Sequence, residues 1–349
     1  MEISSFYDTS IFKEEIKNYD NFSTTQVELL LDKSEPTPNN QLAFAQLNVS
    51  YDCSFEERDL SPEKPAILIP IRDNSELLEF TISNLKKNDL HEIANIIIID
   101  DRSEENLQEV CKKEQVSYLR VDNKKGFNFS ALNNIAAKIC HDRGLKTVIM
   151  WNSDLWCVEK DFFIELMKRH KENNSKVSGT KLVYPPSEFS LHDEEDTSNI
   201  VHHFPSMAGK WRNTLQFGGG SWIPVPSGNS FFMAPSHHKR FQEIDSPMAN
   251  SDKQQSFVTG ALHVWDLEYF VSLGGFFSSM SKNFQDVDIC LRSCFHNNIY
   301  PWYFGKDIHF YHDESLSILK EKKEDEQFVS DHSLFFRIWN APTLSKILL

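Results

Sequence analysis

The run Asn95-Ile-Ile-Ile-Ile99 does most to limit what this chain can fold into. A continuous β-branched stretch has no polar side, so as a strand it must be covered on both faces. Such strands belong to open, mostly parallel sheets with helices on both faces, and the surrounding sequence supplies the alternation that this architecture needs. Pro65 to Ile71 is a second short apolar run, and Ser75 to Lys87 after it sets Leu78, Ile82 and Leu85 at helical spacing. Glu104 to Glu114 predicts a helix and Val116 to Val121 a strand. Asn128 to His141 predicts a helix with Phe129, Leu132, Ile135, Ala136 and Ile139 inward, and Thr147 to Trp151 the next strand. Phe162, Phe163, Leu166 and Met167 mark the helix that follows. The fold class expected is α/β.

Sheets of this kind bind ligands outside the carboxyl ends of their strands. Two of the predicted strands run into acidic residues there, Asp100-Asp101 in one case and Asn152-Ser-Asp154 in the other. One such ending is only a chain leaving the core. Two, on strands that the alternation allows to be neighbours, favour a site. Residues 185–256 then break the alternation with His202-His203, Gln216-Phe-Gly-Gly-Gly220, Pro224, Pro226 and His237-His238. Long irregular segments in compact domains are binding loops or disordered. Trp211, Phe217, Trp222, Phe231 and Phe232 argue for order.

Beyond it, Thr259-Gly-Ala261 is a small-residue turn leading into an amphipathic segment that Gly274-Gly275 ends. Asp286 and Asp288 open a second amphipathic segment, with Val287, Cys290, Leu291, Cys294 and Phe295 at helical spacing. A carboxylate at a helix start is commonly an N-cap. Two positions along an α-helix differ by roughly 200°, so these two carboxylates cannot both face one group. Tyr300 to Phe304 predicts an edge strand, Glu321 to Glu326 is a charge run, and Phe328 to Trp339 predicts a helix with Phe335, Phe336 and Trp339 free to dock. The polar first sixty or so residues, with a breaker cluster at Ser34 to Asn40, carry no recognisable chemistry.

A net charge of −15 disfavours nonspecific contact with nucleic acid or an anionic membrane surface. The six cysteines show no paired metal-ligand spacing and are expected as reduced thiols in a cytosolic protein. Cys290 and Cys294 share a helix face, which is a packing arrangement in the absence of a matching second pair. No stretch approaches the ~20 apolar residues of a membrane helix, and the N-terminus has no secretory signal pattern.

In their order and spacing, several blocks between about Lys64 and Trp339 resemble family 2 glycosyltransferases, which have the GT-A (Rossmann-like) fold. They are Ile69-Pro70 with Asp73-Asn74, Ile99-Asp-Asp-Arg-Ser103, Asn123 to Asn133 around Gly126-Phe127, Trp151-Asn-Ser-Asp154, and the final set Thr259-Gly-Ala261, Gly274-Gly-Phe276 and Asp286-Val-Asp288. His312-Asp-Glu-Ser315 and Gln216-Phe-Gly-Gly219 are similar to features of a bacterial surface-polysaccharide branch. Three departures stand out: Gln285 where the family has Glu, Arg102 where it has Gly, and a metal motif with the single carboxylate Asp154.

The resemblance implies an inverting, metal-dependent transfer from a nucleotide-diphosphate sugar to a hydroxyl of a glycan or lipid-linked acceptor, in surface polysaccharide synthesis. It implies a divalent cation, Mg2+ or Mn2+, held by Asp154 with His312 as second ligand; His309 is the rival. The base would be Asp286, with Asp288 the second choice. Pro70, Asp100, Asp101, Lys125, Gly126, Asn133, Asn152 and Ser153 would meet the nucleotide. The divisions expected are an extension over 1–63, a GT-A domain over 64–320 with a nucleotide-binding half (64–184) and an irregular acceptor and catalytic half (185–320), and a helical tail over 321–349. The place of work would be the cytoplasm, with peripheral contact at the inner face of the membrane. Two other classes compete. A nucleotidyltransferase would need a glycine-rich phosphate loop after the first strand, and Ile69-Pro-Ile-Arg-Asp-Asn74 has no glycine. A non-catalytic nucleotide-sugar-binding domain would fit Gln285 and the single-carboxylate motif.

Overall fold

The computed structural model describes residues 52–123, 126–191, 205–227, 230–314, 324–339 and Leu344. The helices expected between Phe12 and Leu31, and Lys125 and His202-His203, lie outside the described residues. In chain order come β1 (Cys53–Glu56), β2 (Ala66–Ile71), α1 (Ser75–Lys87), α2 (Leu90–Ile93), β3 (Asn95–Asp101), α3 (Leu107–Lys113), β4 (Ser117–Val121), α4 (Phe129–Asp142) and β5 (Thr147–Trp151). Next are β6 (Leu155–Trp156), α5 (Lys160–Glu172), β7 (Val177–Thr180), β8 (Leu182–Val183), β9 (Leu215–Phe217), β10 (Gly220–Ser227), β11 (Ser230–His237) and β12 (Asp252–Gln254). The last are β13 (Leu262–Asp266), α6 (Leu267–Ser272), α7 (Gln285–Asn297), β14 (Trp302–Phe304), β15 (Phe310–His312) and α8 (Glu324–Ile338).

The isoleucine run does what its composition requires. All seven residues of β3 are buried, and successive side chains of a strand point to opposite faces, so both faces are covered. β2 is buried along its whole length as well and pairs in parallel with β3, Ala66 facing Asn95 and Ile71 facing Asp100. Helix α4 packs on β2, β3 and β5, and α6 packs on α4. Helix α1 starts at Asn74, whose side chain accepts from the Leu77 amide, and its buried Leu77, Leu78, Ile82 and Leu85 form one stripe.

The large sheet runs β1-β4-β3-β2-β5-β13-β7-β14-β12. The β4-β3-β2-β5 half is parallel, and β13 lies antiparallel to both β5 and β7. A smaller sheet runs β6-β15-β8-β9, and β10 and β11 form a separate two-stranded sheet. The α/β expectation and its largely parallel sheet therefore hold. Among the described residues, no helix is long and apolar enough to cross a membrane.

Several details differ from what the sequence suggests. β3 and β5, whose acidic ends drew attention as a pair, are not neighbours, because β2 lies between them. β14 is not an edge strand: it pairs in parallel with β7 on one side and with β12 on the other. β12, Asp252-Lys-Gln254, is an edge too short and polar to show alternation. The 185–256 stretch contains a regular hairpin, with Gly220 opposite His237 and Ser227 opposite Ser230. Pro224 and Pro226 hide β10 from a strand search, since proline is tolerated only where the ladder does not need its amide. The amphipathic segment after Ala261 divides into β13, a central strand, and the short α6. Within the stretch taken as an N-terminal extension, β1 adds antiparallel to β4, Cys53 facing Val121.

Candidate active site

The carboxyl end of the parallel half carries the first group of residues. Asp100 is fully buried and spent on structure: its oxygens accept from the Ser103 amide (2.8 Å), the Tyr118 hydroxyl and Arg120 (2.6 Å). It fixes the turn after β3 and offers no free oxygen of the kind a nucleotide contact would use. Asp101 projects to the opposite face and lies 4.0 Å from the guanidinium of Arg72 at the end of β2. Pro70 sits inside β2 opposite Ile99. Gly126 has a φ of 108°, and a Cβ there would meet nothing within 4 Å, so the loop is open on that side. Asn123 donates to the Gly126 carbonyl and shapes the loop. Asn133 is fully buried and donates back to Phe129 within its own helix (2.9 Å), which removes it from any surface that a nucleotide reaches.

Helix α1 also begins at this end, but its amides are taken. Asn74 and Ser75 donate to the two oxygens of Glu105, at 3.0 and 2.7 Å. A helix N-terminus closed by the protein's own carboxylate is not an open phosphate site. This weighs against the nucleotidyltransferase alternative.

The second group gathers where β5 ends. Asp154 and His312 are both buried, and His312 Nε2 lies 3.2 Å from Asp154 Oδ1. The small sheet fixes this: β15 pairs antiparallel with β6, His312 facing Leu155, and the Asp313 amide donates to the Asp154 carbonyl (2.9 Å). Asn152 Nδ2 is 3.4 Å from the same imidazole nitrogen, and the carbonyl of the buried Ser153 accepts from Thr81. His309 instead packs its ring on Phe162, with centroids 5.2 Å apart, so the rivalry resolves to His312. Burial alone would lower the His312 pKa, but Asp154 and, further off, Glu314 and Asp313 outweigh it and raise the pKa.

The third group is on the strand beside β5. The Asn152 amide donates to Ala261 (3.0 Å), and the next residue back, Gly260, donates its amide to Asp286 Oδ2 (2.6 Å). The other oxygen of Asp286 accepts from the Val287 amide (2.9 Å) in the first turn of α7, where the helix dipole favours an anion. His263 closes the turn that carries Gly260. Its Nδ1 accepts from Trp265 (3.3 Å), so its Nε2 carries the proton to the Val258 carbonyl (2.8 Å). Burial outweighs the pull of Asp286 and lowers its pKa, keeping the ring neutral. Asp288 is turned elsewhere. It is 2% exposed and bonded to Arg292 (2.9 Å) and to the Trp339 indole (2.9 Å), so the second candidate base is a structural ion pair.

A fourth group was only partly legible in the sequence. Glu314, two residues past His312, accepts from Arg240 (2.6 Å) and from the Tyr184 hydroxyl (2.8 Å). Arg240 follows the β10–β11 hairpin, so this ion pair ties the hairpin to the β15 end beside Asp154. Burial would raise the Glu314 pKa, but Arg240 and His312 hold it down to about 2. Glu314 stands inside the quoted His-x-Glu-Ser block and so had a signal; Arg240 had none.

Residues 66–229 match the family described as glycosyl transferase family 2. The matched stretch, just under half of the chain, carries the glycosyl transferase family 2 pattern. In sequence, an uncharacterized protein of Sinorhizobium fredii is 26% identical over 260 residues, covering 72% of this chain and 24% of the relative. The chain thus spans about a quarter of that relative's length. Among solved structures, the mannosyltransferase PcManGT from Pyrobaculum calidifontis, in complex with GDP-Man and Mn2+, aligns with a TM-score of 0.48 at 12% identity, covering 90% of this chain and 75% of that one. GalNAc-T7 with UDP, GalNAc and Mn2+ aligns with a TM-score of 0.48 at 13% identity, over 71% and 43% of the two chains.

The match ends before β13 and α7, so Gly260, Asp286 and His312 lie outside it. For a divalent cation the residues fit in part. Among the described residues, no three His, Cys, Asp or Glu side chains converge as a metal cage. Asp154 and His312 can supply two ligands. Their 3.2 Å separation falls within the roughly 2.8–3.7 Å expected of two ligands at right angles on a hard cation. Among the described residues, the buried Nδ1 of His312 has no hydrogen-bond partner.

Gly260 is the most exposed to test. A Cβ there would stand 3.0 Å from the Asp286 Cβ and 3.2 Å from Oδ2, with no positive φ to complicate the outcome. Gly260→Ala is expected to displace Asp286 by a few tenths of an ångström and lower turnover by about 10- to 100-fold. The melting temperature should stay within about 4 °C of the parent. Steady-state kinetics beside thermal melting check this; unchanged turnover would mean that Asp286 does not need its contact with Gly260.

Proposed function

We propose that the chain transfers a sugar from a nucleotide-diphosphate sugar to a hydroxyl of a glycan or lipid-linked acceptor, with inversion at the anomeric carbon. Surface polysaccharide synthesis at the inner face of the membrane is the setting this reading favours. The observation that carries it is the pairing of β5 with β13: through the Asn152–Ala261 bond, the Asp154–His312 pair and the Gly260-held Asp286 come to one end of one sheet. A leaving diphosphate and an attacking hydroxyl need these two functions side by side.

In the mechanism, Asp154 and His312 would hold a divalent cation, which would supply positive charge to neutralise the departing diphosphate. Asn152 and Ser153 line the approach to that pair. The nucleoside lies against Pro70, Asp101 and the Gly126 loop, with Arg72 beside Asp101. Asp286 takes the proton of the acceptor hydroxyl as that oxygen attacks from the face opposite the diphosphate. Its hydrogen bonds from Gly260 and Val287 fix the carboxylate in place before the acceptor arrives. The hairpin, tied by Arg240 to Glu314, stands on the acceptor side.

A thermal-shift screen of the full chain against nucleotide sugars with Mn2+ tests the reading. A donor that binds only the folded state raises the melting temperature with the logarithm of its excess over Kd, and no shift with any donor would refute the proposal. Within the same reading, Asp101→Ala raises the donor KM more than it lowers kcat, since Asp101 lies by the nucleoside and away from the reacting carbon. Calorimetry with the free nucleoside diphosphate checks it, and unchanged affinity would remove Asp101 from the pocket.

A further inference from the structure

Helix α7, which carries Asp286, starts poorly on its own account. Its N-cap is Phe284, at a φ of 64° and with no side-chain cap. A left-handed conformation is costly for a bulky aromatic residue, and the amides leading into a helix need acceptors. Both demands are met by α8. Asp331, fully buried, accepts from the amides of Ser281 (3.1 Å), Lys282 (3.0 Å) and Asn283 (3.0 Å), three successive residues ahead of the cap. Phe284 stacks on Phe335 at 5.0 Å, with its edge contacts on His332 and Phe336.

The loop before α7 is therefore held from two sides. Helix α4 holds its first part: Asn134 makes two bonds to Phe276, Asn128 donates to Ser278 (2.9 Å), and Ser130 donates to Met280. Helix α8 takes over at Ser281. Further along, Trp339 donates to Asp288 on α7, and Phe336 and His332 meet Phe232 of β11. One helix thus bolts the start of α7 to the hairpin.

We propose that α8 belongs to the active site and that Asp331 is a positioning residue for Asp286. By fixing residues 281–283 it sets the first turn of α7, and with it the reach of Asp286 to the Gly260 amide. This rests on the reading of Asp286 as the base, and the Gly260 amide supplies a readout that needs no substrate. Gly260 touches Asp286 and lies on another element, so a purely local cap would leave it undisturbed.

The test is hydrogen exchange of individual amides by NMR on the full chain, for wild type, Asp331→Asn and Trp339→Phe. Trp339→Phe keeps a ring against Phe295 and removes the donor to Asp288 together with part of the buried indole, so it serves if Asp331→Asn fails to fold. Both variants are expected to speed exchange at Gly260 by about tenfold or more relative to the amides of β5. Turnover should fall by about 10- to 100-fold with the donor KM unchanged. Gly260 exchange within about twofold of wild type in the folded variants overturns the proposal. So does faster exchange with undiminished turnover. A wild type that consumes no nucleotide sugar would instead refute the transferase reading, and the exchange at Gly260 would still decide whether α8 positions Asp286.

Discussion

Asp286→Asn is expected to lower turnover by about two to four orders of magnitude, the range that general-base catalysis supplies, and to leave metal-dependent donor binding near wild type. Asparagine keeps the shape. Its carbonyl oxygen can still accept from Gly260, which now stands 2.6 Å from Oδ2, but no basic oxygen remains for the acceptor proton. Asp288→Asn should behave in the opposite way. Asp288 is buried between Arg292 and Trp339, so neutralising it breaks a desolvated ion pair and costs about 2–5 kcal/mol of stability. The folded fraction should keep most of its turnover. Kinetics and denaturant melts on both variants separate the two roles. The reverse ranking of turnover losses would move the base to Asp288.

The second large effect is at the other end of the reaction. Asp154→Ala is expected to cut turnover by about three orders of magnitude or more, because charge neutralisation on a leaving diphosphate is worth several kcal/mol. It should also abolish the metal dependence of donor binding. The fold should survive, since the main-chain bond from Asp313 to the Asp154 carbonyl and the His312–Leu155 register do not use the lost side chain. Calorimetric titration of donor with and without Mn2+ gives the binding part. Full activity in excess chelator would remove the metal from the account.

How legible this was in the sequence depended on the kind of signal. Ile96 to Ile99 could be read because a strand buried on both faces is written in consecutive apolar residues. Ser75 to Lys87 could be read because an amphipathic helix repeats with its own period. Strand order leaves no such trace, which is why β2 between β3 and β5 came as a correction. Nor does a hairpin with three prolines in it, or an edge strand of three polar residues. At the site, block order pointed to Asp154, His312 and Asp286, and the structure sets the first two 3.2 Å apart. It could not tell Asp101 from Asp100, whose oxygens serve Ser103, Tyr118 and Arg120. Arg240 and Asp331 were invisible for a related reason: each acts on residues dozens of positions away, and one sequence carries no record of that pairing.

The most direct test of the central claim is the release of nucleoside diphosphate from a nucleotide sugar by the full chain with Mn2+, measured for wild type, Asp286→Asn and wild type in excess chelator. The account predicts release by wild type that the chelator abolishes and that Asp286→Asn reduces by about two to four orders of magnitude. Release that is indifferent to the chelator and undiminished in Asp286→Asn would contradict it.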